Sequence, residues 1–458
     1  MYNGAVFRLR LRRIAGHSVV RSRLEAPPTP MIPLPALRPT APAPMRRCRR
    51  SCTAWIALAL VACSAGSEVT PAPTDPPPGS GTAPVTDAAP VSTATPISLW
   101  WVDALEPGEP GSAGLVNAIL EGLPSAPPVE VVVKPAYGSA GIEAVLRSTV
   151  NAAPERLPDL MVLPLGSLRA ARAEGLIKPL PLTGDRAEAA FAFAADRAHD
   201  GEQTWALPLA VDLLQTIGRN VTPPETWDAL ERSGIQPLIL PLGGSTVPDL
   251  APLLAVYAGF GGSLADLPAV DPDALQSAFE ALADGLAAGW LRRPDNGSSP
   301  RAAWNSFAAS DPPLAIVDAG SVVDSQAGYP GMTWAPLPGS AGPVPALAWG
   351  WALVVTGPAP ERQAEATLIA SQLADAFQAG PVVAAGWLPA RRADWQRVLS
   401  STLDPAPEAD YLDDLEAQLD AAILVDGDSS WRAGWAQAGA DLAGGAGAAT
   451  AASRLLGP

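Results

Sequence analysis

The chain has 458 residues, with 30 basic against 46 acidic side chains, a formal net charge of −16 and 48% hydrophobic residues. Its acidity, with no basic stripe after Cys63, argues against nucleic acid and anionic lipid headgroups as partners. With 3 cysteines and 2 histidines in the whole sequence, there is little material for disulfides, metal clusters or histidine-based catalysis.

Residues 1–44 carry seven arginines, one glutamate and many prolines, and fit neither a signal nor a domain. Met45 is therefore the expected start, with Met31 the weaker alternative, and 1–44 a non-native upstream extension. From Met45 the pattern is that of an export signal. Arg46, Arg47, Arg49 and Arg50 form a positive region, and Trp55 to Val61 form an apolar run too short to span a bilayer. Leu60-Val61-Ala62-Cys63 then has the form of a lipobox, making 45–62 a lipoprotein signal peptide and Cys63 the lipidated first residue. A plain secretory signal with a chance cysteine, or an uncut anchor, are the alternatives.

Counting from Cys63, 19 basic and 45 acidic residues remain, a net charge of −26. Cys48, Cys52 and His17 leave with the signal, so His199, in the polar turn Asp196 to Gly201, is the last imidazole. No catalytic residue, metal site or cofactor is expected. Residues 63–96 are nearly all Ser, Thr, Pro, Ala, Gly and Asp, a tether too polar to bury a core. About 360 residues are left to fold, enough for two lobes.

Within them, apolar runs alternate with helical spacing. Strands are expected at 97–101, 129–134 and 160–163, with helices at 114–123, 141–152 and 168–174, the last closed by Gly175. A strand over 204–214 runs through Pro208. Thr226 then caps a helix with Asp228 in its first turn. Helical spacing returns at 249–257, 271–288, 361–376 and 410–423, and apolar strands at 314–317 and 347–355. Gly259-Phe260-Gly261-Gly262 lacks the spacing, leading strand and lysine of a nucleotide loop and reads as a turn. The acidic 410–423 stretch reads as a solvated face. Such alternation implies an α/β fold with largely parallel sheets covered by helices, whose ligands sit at the carboxyl ends of the strands.

Five segments occur in an order similar to that of the family 1 extracellular solute-binding proteins of ABC importers, the superfamily that includes maltose-binding protein. They are Pro158 to Leu163 followed by Ala173 to Leu180, Trp205 to Asp212 followed by Thr226 to Leu230, Tyr257 to Leu264 with Ala288-Gly289-Trp290, Leu314 to Gly320 after a Phe-bearing helix, and Gly386-Trp387-Leu388-Pro389. The resemblance covers nearly all of 97–455. It implies a two-lobed periplasmic-binding-protein-like fold with a cleft between the lobes that closes on ligand. The implied division is lobe 1 over 97–208, lobe 2 over 209–332, a return to lobe 1 over 333–388, and C-terminal helices, mainly of lobe 2, over 389–458. It also implies membrane permease subunits as partners, a monomer, and no enzymatic activity. A sensor or adhesin of the same fold is a second reading. An extracellular hydrolase using Asp413 and Asp414, or Asp426 and Asp428, is a third.

Thirteen of the 14 tryptophans lie after Cys63. Tryptophan faces suit the axial C–H surface of a sugar, and carboxylates suit its hydroxyls. The expected ligand contacts are Trp100 and Trp101 at the end of the first strand, Asp103 just beyond, Asp212 on the first interlobe crossing, Trp349 and Trp351 on the late crossing strand, and Trp431. Asp212 and Trp431 are assigned through the resemblance, Asp212 as an acid reserved for ligand with no internal partner. Departures at Pro164 to Ser167 and Val322 argue against maltose itself as the ligand; a saccharide is the first expectation, and another polar organic solute, a polyamine or a metal ion are the alternatives. Trp227, Trp290 and Trp395, borne on helices, are expected to face a core.

Overall fold

The computed structural model describes residues 95–456 apart from 109–110, 124–126, 183–188, 326–330, 358, 405 and 427–428. The expected signal, Cys63 and all of the expected tether except Thr95 and Pro96 lie outside the described residues. In chain order the strands are β1 Ile97–Val102, β2 Val129–Lys134, β3 Leu160–Pro164, β4 His199–Asp200, β5 Gln203–Thr204, β6 Leu207–Arg219 and β7 Leu238–Ile239. They continue with β8 Leu291–Arg292, β9 Leu314–Asp318, β10 Met332–Ala335, β11 Leu347–Val355, β12 Leu388–Pro389 and β13 Ile423–Leu424. The main sheet runs β2-β1-β3-β11-β6-β9-β7-β8.

Its flanks are parallel, β1 with β2 and β3, and β7 with β8 and β9. Its centre is antiparallel, because β11 pairs oppositely with both β3 and β6, and β6 oppositely with β9. The expected parallel sheet is therefore mixed where the chain crosses between lobes. The crossing strand β6 is also longer than its apolar run suggested. It has thirteen residues, all buried but Arg219. Its first half pairs with β11 and its second half with β9 and β10.

Several helices start where short polar side chains offer acceptors. Thr226 Oγ1 accepts from Ala229 N at 3.1 Å, as its place before Trp227–Ser233 predicts. Thr246 and Asp249 form a capping box at Val247–Gly259, and Ser299 Oγ accepts from Ala302 N at the start of Pro300–Ala309. The glycine-rich segment after Tyr257 is a turn, with Gly261 at φ 95°.

Two hydrophobic clusters form. One gathers β1, β3, β11 and the helices Pro360–Gln378, Trp395–Thr402 and Ala409–Asp420. The other gathers Val247–Gly259, Pro272–Ala288, Ser429–Ala443 and Ala448–Leu456. The C-terminal region thus divides near Leu424 and Val425. The helices before that point pack with the first cluster, because Trp395, Tyr411 and Leu415 point into it. Trp227, Trp290 and Trp395 are buried. Helix Ala409–Asp420 is solvated on one face only, burying Tyr411, Leu412, Leu415 and Leu419. No helix among the described residues is long and apolar enough to cross a membrane.

Arg362 fastens the first strand at its entry. Its Nη2 donates to Pro96 O at 2.7 Å and to Asp159 Oδ2 at 2.6 Å, and its Nε to Asp159 Oδ1 at 2.9 Å. Ser98 donates to the same carboxylate through both N and Oγ. Burial alone would raise the Asp159 pKa, but the Arg362 and Ser98 hydrogen bonds outweigh it and hold the carboxyl below its usual range.

Asp212 corrects an expectation. It is only 3% exposed and has internal partners: its Oδ1 accepts from Leu213 N at 2.8 Å and from Gly320 N at 2.9 Å. A side chain at Gly320 would meet Gly386 O at 2.5 Å and Asp212 Oδ2 at 2.9 Å, so this approach needs glycine. Burial, then the nearby Asp318 charge, push the Asp212 pKa well above the usual range. Burial also raises that of Asp318, although Ser321 donates to it and Arg301 opposes the rise. The carboxyl thus has partners in the crossing itself, where none was expected.

Two predictions follow from these carboxyls, with opposite signs in pH. Arg362→Ala should cost about 2–3 kcal/mol at pH 7, from a mostly buried pair losing one partner. The Asp159 contribution is complete above the ordinary carboxylate pKa and lost as pH falls through its lowered value, so urea titrations of the variant and parent should converge at acid pH. For Asp212 the folded pKa is raised. Stability is then greatest below the ordinary value and falls as pH rises toward the raised one. Asp212→Asn keeps an oxygen for both N–H groups, so its melting temperature should gain on the parent as pH rises from 4 to 8. Asp212→Ala leaves both donors buried without an acceptor and should lose about 1–3 kcal/mol.

Candidate functional site

A cleft of about 560 Å³ opens at the carboxyl ends of β2 and β3, within the volume range of small-ligand sites. One wall comes from the segment after β2, Ala136 to Gly138, from helix Ile142–Ala152 and from Gly166 and Ser167 after β3. The facing wall is Leu264, Ala265 and Leu267, with Asp426, Trp431 and Arg432. A larger hollow, about 730 Å³, lies beside Ala192, Arg392, Trp395 and Glu416. Its apolar lining belongs to the first cluster alone, whereas the cleft draws on both clusters through Ala136 and Trp431, so the cleft is the better candidate.

Strand ends and short hydrogen bonds set the wall after β2. Asp103 Oδ1 accepts from Ala136 N at 2.9 Å, fixing the turn that leads to Tyr137. Gly138 has φ 90°, and a side chain at Gly141 would strike the Tyr137 backbone at 2.6 Å, so both glycines are required by the turn. The Tyr137 ring rests on Trp351, with centroids 5.5 Å apart at 50°. Burial above all, then the Asp249 charge, push its hydroxyl pKa upward, so it stays protonated.

Charged side chains bridge the cleft. Arg432 on Ser429–Ala443 reaches Glu143 on Ile142–Ala152 at 3.4 Å, and Arg197 on Ala192–Ala198 reaches Asp426 at 2.9 Å. Arg147 holds Glu174 through both carboxylate oxygens, and Arg169 reaches Asp196 at 2.8 Å. Burial lowers the Arg197 pKa and Asp426 opposes that shift. Two donors at this wall have no acceptor among the described residues, Ser167 Oγ and Arg197 Nη1.

Of the seven expected ligand contacts, only Trp431 lies on the cleft wall, and it is 7% exposed. Asp103 and Trp351 stand directly behind the wall, supporting Ala136 and Tyr137. Trp101 is fully buried, edge-on to Phe377 at 5.5 Å, because the alternation of β1 puts it on the core face with Ile97 and Leu99. Trp100 takes the other face, where Lys134 Nζ lies 4.9 Å from its ring centroid. Trp349 is buried in the second cluster, since β11 is covered on both faces. Asp212 lies under Gly320. The cleft residues missed from sequence are Tyr137, Glu143, Ser167, Arg197 and Arg432. Their one visible signal is the glycine-flanked Tyr137 to Gly141 segment between a strand and a helix. The proposed hydrolytic acids are already engaged: Asp413 accepts from Gln396 Nε2, Asp414 from Trp334 Nε1, and Asp426 pairs with Arg197. Asp428 lies outside the described residues.

No protein-family model and no curated protein sequence matches the chain, whereas 724 solved chains share its fold, too many to single out one ligand. Maltose-bound MalE3 of T. maritima is 18% identical, with a TM-score of 0.58 over 78% of this chain and 98% of that one. The sugar-binding protein MalE from Xanthomonas citri is 18% identical, with a TM-score of 0.57 over 79% and 95%. The GacH receptor of Streptomyces glaucescens, solved unliganded and with acarbose, is 15% identical, with a TM-score of 0.55 over 79% and 97%. The chain has the α/β fold of the maltose and maltodextrin substrate-binding proteins of ABC importers.

Proposed function

We propose that the chain is an extracytoplasmic solute-binding protein, held to the membrane through Cys63, that delivers a saccharide to the permease of an ABC importer. The observation that carries this reading is the cleft at the strand ends. Its opposing walls come from distant parts of the chain, and it combines an aromatic edge at Trp431 and Tyr137 with carboxylate and guanidinium groups. Sugars need both surfaces: an apolar face for the ring and planar polar groups for the hydroxyls. The likeness in fold to proteins solved with maltose, cycloalternan and α-D-tagatose supports the reading. Hinge closure about the crossing strands would trap the solute and signal occupancy to the permease.

The folded part, without signal and tether, should gain thermal stability with at least one saccharide from a screen of sugars, polyamines and amino acids. Stabilisation by polyamines or amino acids alone would overturn the saccharide assignment. Trp431→Leu keeps most of the apolar volume but removes the aromatic face, and should weaken binding about tenfold by calorimetry, or ~1.4 kcal/mol. Cys63→Ser should release the exported protein from membranes, and its retention in the membrane fraction would overturn the lipid anchor.

A further inference from the structure

Strand β2 forms one end of the main sheet, with β1 on one side and no strand or isolated bridge on the other among the described residues. Its ladder with β1 is unbroken from Val129 to Lys134, without proline, glycine or bulge. Such an edge offers a row of unpaired backbone groups to an extended chain of matching register. The direction of those groups is fixed. Pro128 turns its carbonyl toward β1, where it accepts from Ile97 N at 2.8 Å, and backbone direction alternates along a strand, so Glu130, Val132 and Lys134 also bond inward. The N–H and C=O groups of Val129, Val131 and Val133 therefore face outward from the sheet.

The side chains along this edge are open to contact. Val132 stands beside Trp100 in the register and is 37% exposed, and Glu130, beside Ser98, is exposed as well. Lys134 lies on the same face, its Nζ 4.9 Å from the Trp100 ring centroid. Edge strands commonly carry charge that repels a second strand. Here the two charges have opposite sign and flank Val132 symmetrically, which makes the strand complementary to itself. When two copies run antiparallel about Val132, each Glu130 stands directly opposite the partner's Lys134. In that register Val131 faces the partner's Val133, so the outward backbone groups meet as hydrogen-bonded pairs. Glu130, Val132 and Lys134 then fall at the non-hydrogen-bonded positions, where Cα atoms come within about 4.5 Å and side chains are closest. A parallel approach would instead set like charges side by side.

We infer that β2 is a self-association edge, to which a second copy of this chain adds antiparallel, joining two sheets about a two-fold axis at Val132. The family resemblance implies a monomer, and this contact is of the weak kind: a short strand edge on each copy belongs with interfaces under about 1,200 Å², which form and separate readily. Holding many copies on one membrane surface through Cys63, as proposed above, raises their local concentration and favours such a contact.

The test is sedimentation equilibrium of the chain from residue 63 onward with Cys63→Ser, which leaves it without cysteine. A monomer–dimer equilibrium is expected, with a dissociation constant on the order of 100 µM. Glu130→Lys sets lysines against each other and Lys134→Glu sets glutamates, so each variant alone should dimerise at least tenfold more weakly. Mixed in equal amounts, the two variants should form a heterodimer as tight as the parent, because every facing pair is again of opposite sign. Val132→Cys provides a readout free of charge effects. It should give a disulfide-linked dimer under mild oxidation, since Val132 faces the partner's Val132, whereas Val131→Cys, set diagonally from the same residue of the partner, should not. A chain that stays monomeric up to about 1 mM overturns the proposal, as does a dimer that both charge variants leave unchanged. Failure of the mixed variants to associate, or equal cross-linking of the two cysteine variants, also overturns it.

Discussion

The structure depends on one strand that joins the two halves of the main sheet. β6 has no exposed residue before Arg219, and it is flanked on its two edges by β11 and β12 in its first half and by β9 and β10 farther along. A ladder of this kind cannot be opened without stranding backbone groups in an apolar interior. The two halves of the molecule can therefore change their relation only by bending near the shared strand. The registers mark where. The pairing of β6 with β11 shifts between Trp351 and Ala352, and partnership passes to β9 at Leu214. Asp212 lies between these points, tied to Gly320 across the gap.

What faces the cleft follows from the same arrangement. The segments after β2 and β3 build one wall and carry its glycines, while the charged groups stand on the helices that follow. The ion pairs across the wall differ in weight. Arg147 and Glu174 are each more than 40% exposed at the side chain, 44% and 41%, and screening leaves such a pair little net stability. Arg432 and Glu143 are 15% and 19% exposed, so losing either leaves a mostly buried charge alone. The inner pairs therefore set the spacing of the walls rather than add greatly to folding free energy. A ligand entering there meets groups already desolvated and oriented, which lowers the ordering cost of binding.

Much of the scaffold was legible in the sequence, because period and punctuation are local signals. β2 and β11 fall where their apolar runs lie, Thr226 caps its helix, and the Gly259 to Gly262 segment turns rather than binding a nucleotide. The lining was mostly illegible. Tryptophan at a strand end says nothing about which face it takes: Trp101 enters the core and Trp100 leaves it, one residue apart. The groups that do line the cleft are ordinary Arg, Glu and Ser residues whose meaning comes from partners far away in sequence. Glu143 and Arg432 are separated by 289 positions. Trp431 was found through the family resemblance, since its own helix carries no strong amphipathic signal.

Asp212 shows how a buried acid on a crossing strand can work for the fold. Its two acceptor bonds to Leu213 and Gly320 require an oxygen but not a charge. In so buried a place, with Asp318 adding to the cost of a second negative charge, the protonated form is favoured at pH values where a surface aspartate would be ionised. A neutral carboxyl keeps one acceptor oxygen for the backbone, so the crossing stays tied without a buried anion. Hydrophobic residues could fill the same volume, but none could accept from Gly320 N, and that N–H would then be orphaned at the point where the chain turns from β9 into Ala319–Ser325. The constraint that shapes the crossing is thus backbone satisfaction in a crowded place. Gly320 supplies the room, the Gly386 carbonyl fills it, and Asp212 supplies the acceptor.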